Sequence, residues 1–235
     1  MILRIVLITL ASLIAISVTA FAYLAYIFSK VPKAKADGIR VACVGDSITQ
    51  GMGIMFDHMS RNSYPALLQG LLGNKYQVLN YGHSGRTLLN TGDHPYRNSP
   101  FFKASLQSDS SIVLIMLGTN DSKPQNWKSV DYEREVGGLV ETYRSLPSNP
   151  QVFLMTPTSA FLKKGKTEVA FKISDLTIEN EIIPIVKRVA EETNTLVIDI
   201  FSATKGHPEY FPDGVHPNAI GNKAIAQTIY TVLSK

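Results

Sequence analysis

The stretch VACVGDSITQG, residues 41–51, carries a serine that could do chemistry. Four compact apolar residues run into Gly45, and Asp46 and Ser47 follow at once. Ser47 has two readings. With Gln50 three residues on, it fits a capping box, in which a hydroxyl accepts from the free backbone N–H groups at a helix start. Alternatively it is a nucleophile, which needs a general base in reach and donors for the charge that develops on an attacked carbonyl oxygen. Candidates for those parts stand elsewhere. In FPDGVHPN, residues 211–218, Asp213 and His216 lie three apart among residues that bend the chain. That spacing can set a carboxylate against one imidazole nitrogen and leave the other free. NYGHSGRT, residues 80–87, has Gly82 and Gly85, which let backbone turn tightly and approach a ligand. LGTNDSKPQNW, residues 117–127, holds Asn120, either a local turn residue or an amide aimed at an oxyanion. A serine, an imidazole, a carboxylate and N–H donors are the parts of acyl transfer.

Each feature also has a plain structural reading, so the elements that position them decide. Apolar runs rich in Val, Ile and Leu fall at 39–45, 77–81, 111–117, 151–155 and 195–200. They show little polar alternation, as expected of parallel strands covered on both faces. Helical patterns lie between them at 63–72, 99–107, 131–146 and 174–194. A last helix is expected over 217–233, with Pro217 as its first residue. Gly137 and Gly138 weaken the third helix, but its length still favours one. The alternation predicts a three-layer α/β/α sandwich around a five-stranded parallel sheet. In such folds ligands bind beyond the carboxyl ends of the strands. Ser47, the 80–87 turn, Asn120 and the Asp213–His216 pair all follow strand ends, so the topology sends them to one rim.

With the blocks in order, the chain resembles the SGNH hydrolases, also called GDSL esterases and lipases. GDSIT resembles the first block of that family, and NYGHSGRT the second. GTND resembles the third block and DGVHP the last. The resemblance covers about residues 39–233 and implies a flavodoxin-like SGNH hydrolase fold. It implies Ser47 as nucleophile, His216 as base and Asp213 as its orienting carboxylate. It implies an oxyanion hole made by the Ser47 and Gly85 N–H groups and the Asn120 amide. The activity implied is hydrolysis of esters, with no cofactor. GHSGR comes near the Gly-x-Ser-x-Gly string of other serine hydrolases but lacks the final glycine, which leaves Ser84 the weaker candidate.

Several residues are candidates to line the substrate mouth. Asp46 is expected to hold the Ser47 loop through backbone N–H groups. His83, Arg86, Lys123 and Trp127 stand beside the two oxyanion blocks. With Gln125 and Asn126 they suggest a polar rim with one aromatic platform, which suits a carbohydrate ester. No long apolar lid segment separates the blocks. Short-chain deacylation, in particular O-acetyl removal from carbohydrate, is the expectation. A lipase, a lysophospholipase, an acyl-thioesterase and a non-catalytic membrane-tethered carbohydrate-binding module stay open as alternatives.

Other classes fit poorly. No His-Glu-x-x-His string or Cys/His cluster is present, so no catalytic metal is expected. The turn after the first strand lacks the Gly-x-Gly-x-x-Gly spacing and a P-loop lysine, and Asp46 would repel phosphate. The only cysteine, Cys43, sits mid-strand and reads as a small buried apolar residue. The net charge of +4 is local. Arg4, Lys30, Lys33, Lys35 and Asp37 precede Gly38, and without them 19 basic residues face 18 acidic ones. The basic excess therefore belongs to a membrane flank, and no nucleic-acid partner is expected.

Residues 5–29 carry no charged side chain. As a helix they would run about 37 Å, longer than the roughly 30 Å bilayer core. The expectation is an N-terminal transmembrane anchor over residues 1–29, a linker over 30–38 and a hydrolase domain over 39–235. Arg4 before the apolar run resembles an export signal, which suggests an extracytoplasmic domain. Ala20-Phe21-Ala22 and Ala34-Lys35-Ala36 resemble cleavage sites, and cleavage would make the protein secreted.

Overall fold

A computed structural model of the chain describes residues 14–19, 22, 30–34, 37–54 and 59–234. Residues 14–19 are helical. Among the described residues no helix is long and apolar enough to cross a membrane. The expected span over 5–29 lies mostly outside the described residues.

The sheet has five parallel strands in the order β2-β1-β3-β4-β5. They are β1 (Ile39–Gly45), β2 (Tyr76–Gly82), β3 (Ile112–Met116), β4 (Gln151–Met155) and β5 (Leu196–Ile198). All five expected strands are present. The fifth is shorter than expected because Asp199 stops it. Its carboxylate accepts from the Ser202 N–H at 3.0 Å and caps the short helix Ile200–Thr204.

The central strands explain the unbroken apolar runs. Val41, Cys43, Leu114, Met116, Phe153, Met155 and Ile198 face one core cluster, which α2 (Tyr64–Leu72) and α6 (Ala219–Leu233) cover. Helices α3 (Pro100–Leu106), α4 (Ser129–Arg144) and α5 (Ile183–Glu192) pack on the opposite face. Val44, Val113 and Ile115 are also buried, so both faces of the centre are covered. Cys43 is fully buried, and burial pushes its thiol pKa up, so it is an inert packing residue.

Two helical expectations change. The 174–194 pattern is not one α-helix. A turn at Asp175–Thr177 leads into a π-helical turn over Ile178–Ile182, and α5 follows. Pro184 is the physical reason. It cannot donate to the carbonyl four residues back, and its ring crowds that carbonyl, so the preceding turn widens. At the C-terminus, Pro217 does not open the last helix. Asn218 caps α6 by accepting from the Gly221 N–H at 3.0 Å, and Pro217 stays outside the helix.

The strand order contains a switch point. The chain leaves β1 toward β2 on one side, then returns to β3 on the other, so the loops after β1 and β3 diverge around a crevice. Gly45 pairs with Met116, which puts the residues after both strands level with each other.

Gly138 offers a test of the helix reading. It sits exposed inside α4, and an added Cβ would meet only Arg97 Nη2, at 3.9 Å. Gly138→Ala is expected to stabilise the protein by roughly 0.5–1 kcal/mol. The readout is a higher denaturant midpoint at unchanged m-value. A lower midpoint would mean that the helix needs that glycine.

Candidate active site

Ser47 is not the helix cap. That place belongs to Asp46, whose carboxylate accepts from the Ile48 N–H at 2.9 Å. The capping-box reading of Ser47 with Gln50 therefore falls. Gln50 turns the other way and accepts from the Ser84 N–H and hydroxyl. With the cap supplied by its neighbour, the Ser47 hydroxyl is left for another partner. Its Oγ lies 2.9 Å from His216 Nε2.

The other imidazole nitrogen is also engaged. His216 Nδ1 is 2.7 Å from Asp213 Oδ2. Asp213 is fixed by the turn it sits in, since its Oδ1 accepts from the Val215 N–H at 2.9 Å and the His216 N–H at 2.7 Å. Gly214 makes that turn possible. Its φ of +91° suits glycine, and a Cβ there would lie 2.3 Å from the Phe161 carbonyl oxygen. Burial would raise the Asp213 pKa, but hydrogen bonds from the His216 ring and from the His216 and Val215 N–H groups outweigh it and hold the carboxyl at about 2. Asp213 is thus anionic at neutral pH.

Ser47 and Gly85 line the same pocket. Ser47 is the first residue of helix α1 (Ser47–Gln50), so its N–H has no intrahelical acceptor. Gly85 has φ +75°, a left-handed conformation that favours glycine. The Asn120 amide is already engaged. Its Nδ2 donates to Asp46 Oδ2 at 3.3 Å and to the Arg86 carbonyl at 3.2 Å. Both contacts are longer than the usual 2.9–3.0 Å.

Behind these donors lie two buried carboxyl groups. Burial raises Asp46 to about 6, against the opposing effect of the Ile48 N–H. Burial raises Asp121 to about 7, with the Leu89 and Leu88 N–H groups opposing and Asp46 adding repulsion. Asp121 accepts from those two N–H groups at 2.8 and 2.9 Å, which ties the chain just past Gly85 to the chain just past Asn120.

The pocket has a volume of about 230 Å³. Ser47, Gly85, Asn120 and His216 line it, with Lys123 at the edge. The other sequence candidates stand elsewhere. Asp46 lies beneath the Ser47 loop as a support. His83 packs on Phe101, its Nδ1 2.7 Å from Ser99 Oγ and its Nε2 3.3 Å from Arg86 Nη2. Burial, then the Arg86 charge, lowers the His83 pKa to about 4 and keeps it neutral. Trp127 donates to Glu181 at 2.8 Å and packs at a tilt on Tyr132, and it does not line the pocket. Asn126 is buried and donates to the Asn120 carbonyl. Of the expected polar rim only Lys123 reaches the pocket. Its Nζ is 3.3 Å from Asp93 Oδ2.

Ser84 also lines the pocket, and Met52, Thr119, Phe171, Ile173 and Val215, which no spacing in the sequence marks, complete the lining. One signal was available: the loop after β4 also starts at a strand's carboxyl end and so belongs to the same rim. Among the described residues no cluster of His, Cys, Asp or Glu could hold a metal ion.

The buried acids predict a pH dependence. A carboxyl whose pKa rises on folding adds stability that is full below its unfolded value near 4 and is lost as pH rises through the folded value. For Asp121 the loss runs up to about pH 7. Asp121→Asn is expected to lower the Tm at pH 5, where it spoils one backbone contact, and to flatten the fall in Tm between pH 5 and 8. An unchanged slope would place that ionisation elsewhere.

Residues 43–224 match the GDSL-like lipase/acylhydrolase family. Over 218 residues the chain is 37% identical to an acetylxylan esterase of Xylanibacter ruminicola. The match takes in 85% of this chain and 44% of that protein, so the chain spans under half the length of this relative. The fold is similar to a carbohydrate acetylesterase from Sinorhizobium meliloti, with a TM-score of 0.69 at 20% identity over 83% of this chain and 98% of that one. It is also similar to an acetylxylan esterase from Geobacillus stearothermophilus, with a TM-score of 0.64 at 23% identity over 85% and 95% of the two chains. The chain belongs to the GDSL-like lipase/acylhydrolase family, the SGNH hydrolases, which are carboxylic-ester hydrolases.

Proposed function

We propose that the protein is a serine esterase that hydrolyses short-chain acyl esters, with O-acetyl groups on carbohydrate as its substrates. The observation that carries the reading is the hydrogen-bonded run Ser47 Oγ, His216 Nε2, His216 Nδ1, Asp213 Oδ2, with links of 2.9 and 2.7 Å beside a pocket. The acetyl and carbohydrate parts draw support from the small cavity and from the likeness to an acetylxylan esterase.

In this mechanism His216 Nε2 takes the Ser47 hydroxyl proton as Oγ attacks the ester carbonyl carbon. Ionised Asp213 holds the Nδ1–H and stabilises the imidazolium. The carbonyl oxygen becomes an oxyanion and accepts from the Ser47 and Gly85 N–H groups. It also draws one Asn120 N–H from its long contacts, because a charged acceptor binds more strongly than a neutral carbonyl. His216 then protonates the departing alcohol oxygen, leaving an acyl-serine. Water attacks that ester while His216 takes its proton, and Ser47 recovers the proton as the acid leaves.

We further propose that residues 5–29 hold the domain at a membrane, on its extracytoplasmic side. The uncharged run and Arg4 before it support this. The full chain is then expected to resist carbonate extraction, and a chain starting at Gly38 to be soluble. Full-length protein in the soluble fraction would refute the anchor, and protease protection of the domain in intact cells would refute its side.

The catalytic assignment has a direct test. Ser47→Ala and His216→Ala are each expected to nearly abolish esterase activity at unchanged Tm, and the double variant to be little worse than either. Asp213→Ala should retain more activity, because water can replace part of its orienting role. Asn120→Ala should lower kcat by roughly a hundred- to a thousandfold with KM little changed. Labelling by a fluorophosphonate should occur on Ser47. An active Ser47→Ala enzyme would overturn the reading.

Acyl size is tested separately. On p-nitrophenyl esters kcat/KM should be highest at two to four carbons. A maximum at eight or more would favour a lipase or thioesterase.

A further inference from the structure

The pocket contains one residue whose conformation neither folding nor packing explains. Phe171 has φ +60° and ψ +16°, and Lys172 beside it has φ +59°. Both are left-handed, a region that bulky residues enter rarely and at a cost. Burial does not offset that cost, because Phe171 is 59% exposed. A large aromatic side chain is therefore held in strained backbone with most of its surface in water.

Its surroundings give it a direction. The Phe171 ring stands edge-on to the His216 ring, with centroids 5.2 Å apart and planes at 69°. Phe171, Ile173, Val215 and His216 line the pocket, as do Gly85 and Asn120. The loop that carries it is pinned on both flanks. The Phe161 N–H donates to the Gly214 carbonyl at 2.8 Å, in the turn that holds Asp213 and His216. The Ala160 N–H donates to Asp175 Oδ1 at 2.7 Å, and the Ser174 N–H to Ser122 Oγ at 3.1 Å. Ile173, buried at 4% exposure, roots the segment next to Phe171 in the core.

The chemistry then fixes which part of a substrate Phe171 meets. The two oxygens of an ester go to opposite sides of the attacked carbon. The carbonyl oxygen must face the N–H groups at Gly85 and Ser47. The alcohol oxygen must come within reach of His216 Nε2, since that nitrogen protonates it as it leaves. The alcohol moiety therefore lies beside His216, where the Phe171 ring stands.

We propose that Phe171 is the specificity-determining platform for the alcohol side of the ester, stacking against a pyranose ring that carries the acyl group. An exposed aromatic face next to the base suits the C–H-lined face of a sugar, because it supplies rigid apolar area with few torsions to freeze. This rests on the esterase reading. It moves the aromatic platform from Trp127 to Phe171, and it assigns that platform to the leaving group rather than the acyl group.

The test compares esters that differ on one side only. Phe171→Ala is expected to raise KM about tenfold for an acetylated methyl xyloside, with kcat within twofold. Ethyl acetate, whose alcohol has no ring, should lose at least fivefold less in kcat/KM than the xyloside does, with the same pH profile. The acyl-length preference on p-nitrophenyl esters should not move, and Phe171→Trp should restore KM on the xyloside. Equal losses on the xyloside and ethyl acetate would overturn the proposal and mean that Phe171 acts by holding His216. A shifted acyl-length preference would overturn it by placing Phe171 on the acyl group. No change on either substrate would also overturn it, while leaving the esterase reading intact. An unaltered enzyme that turns over none of these esters would refute both.

Discussion

The site depends on where one buried carboxyl group stands. Asp46 follows the last residue of β1, at the point where the chain must turn away from the sheet. Its Oδ1 caps the short helix that begins with Ser47, and its Oδ2 receives the Asn120 amide from the loop after β3. The first contact does the work that a serine would otherwise do, and so frees the Ser47 hydroxyl for His216. The second ties together the two loops that the switch point drives apart. Both contacts need an acceptor at that point, and burial works against its ionisation. The protein keeps a costly group in place because no apolar residue could accept from both sides.

The base comes from the far end of the chain, and other constraints bring it in. Asn222, fully buried in α6, accepts from the Tyr64 N–H at 2.9 Å and donates to the Pro217 carbonyl at 2.9 Å. It thereby fixes the residue after His216 to the helix after Ser47. Gly214 lets the Phe161 segment close on the same turn from the other side. The Ser47–His216 contact joins residues 169 apart in sequence, and it is held by packing on both flanks rather than by its own strength.

Electrostatics divides the acids by environment. Asp213 is held ionised by three hydrogen bonds, whereas Asp46 and Asp121 are raised toward neutrality by burial. One carboxylate is thus kept ready to face an imidazolium. The other two act as acceptors for backbone and amide groups, where geometry matters more than charge. His83, which the sequence puts beside the oxyanion loop, is drawn into a wall with Ser99 and Phe101 and supports the loop from behind.

The sequence by itself determined the sheet and the blocks on its rim. Five apolar runs alternating with helical patterns pointed to covered parallel strands, which bury both of their faces. Strand ends then had to carry Ser47, Gly85, Asn120 and the Asp213–His216 pair to one side. Local spacing could not decide between two acceptors one residue apart, so only the folded chain shows Asp46 as the cap and Ser47 free. Nor could it decide which residues of a polar loop face a cavity. Trp127, Arg86 and Asn126 looked like a rim because they stand beside the two oxyanion blocks, yet each finds a partner away from the pocket. Phe171 sits in a loop with no periodicity, and that loop meets the His216 turn through a contact between Phe161 and Gly214 that spans 53 residues. Side-chain direction in loops is set by such long-range contacts, and these exist only once the chain has closed.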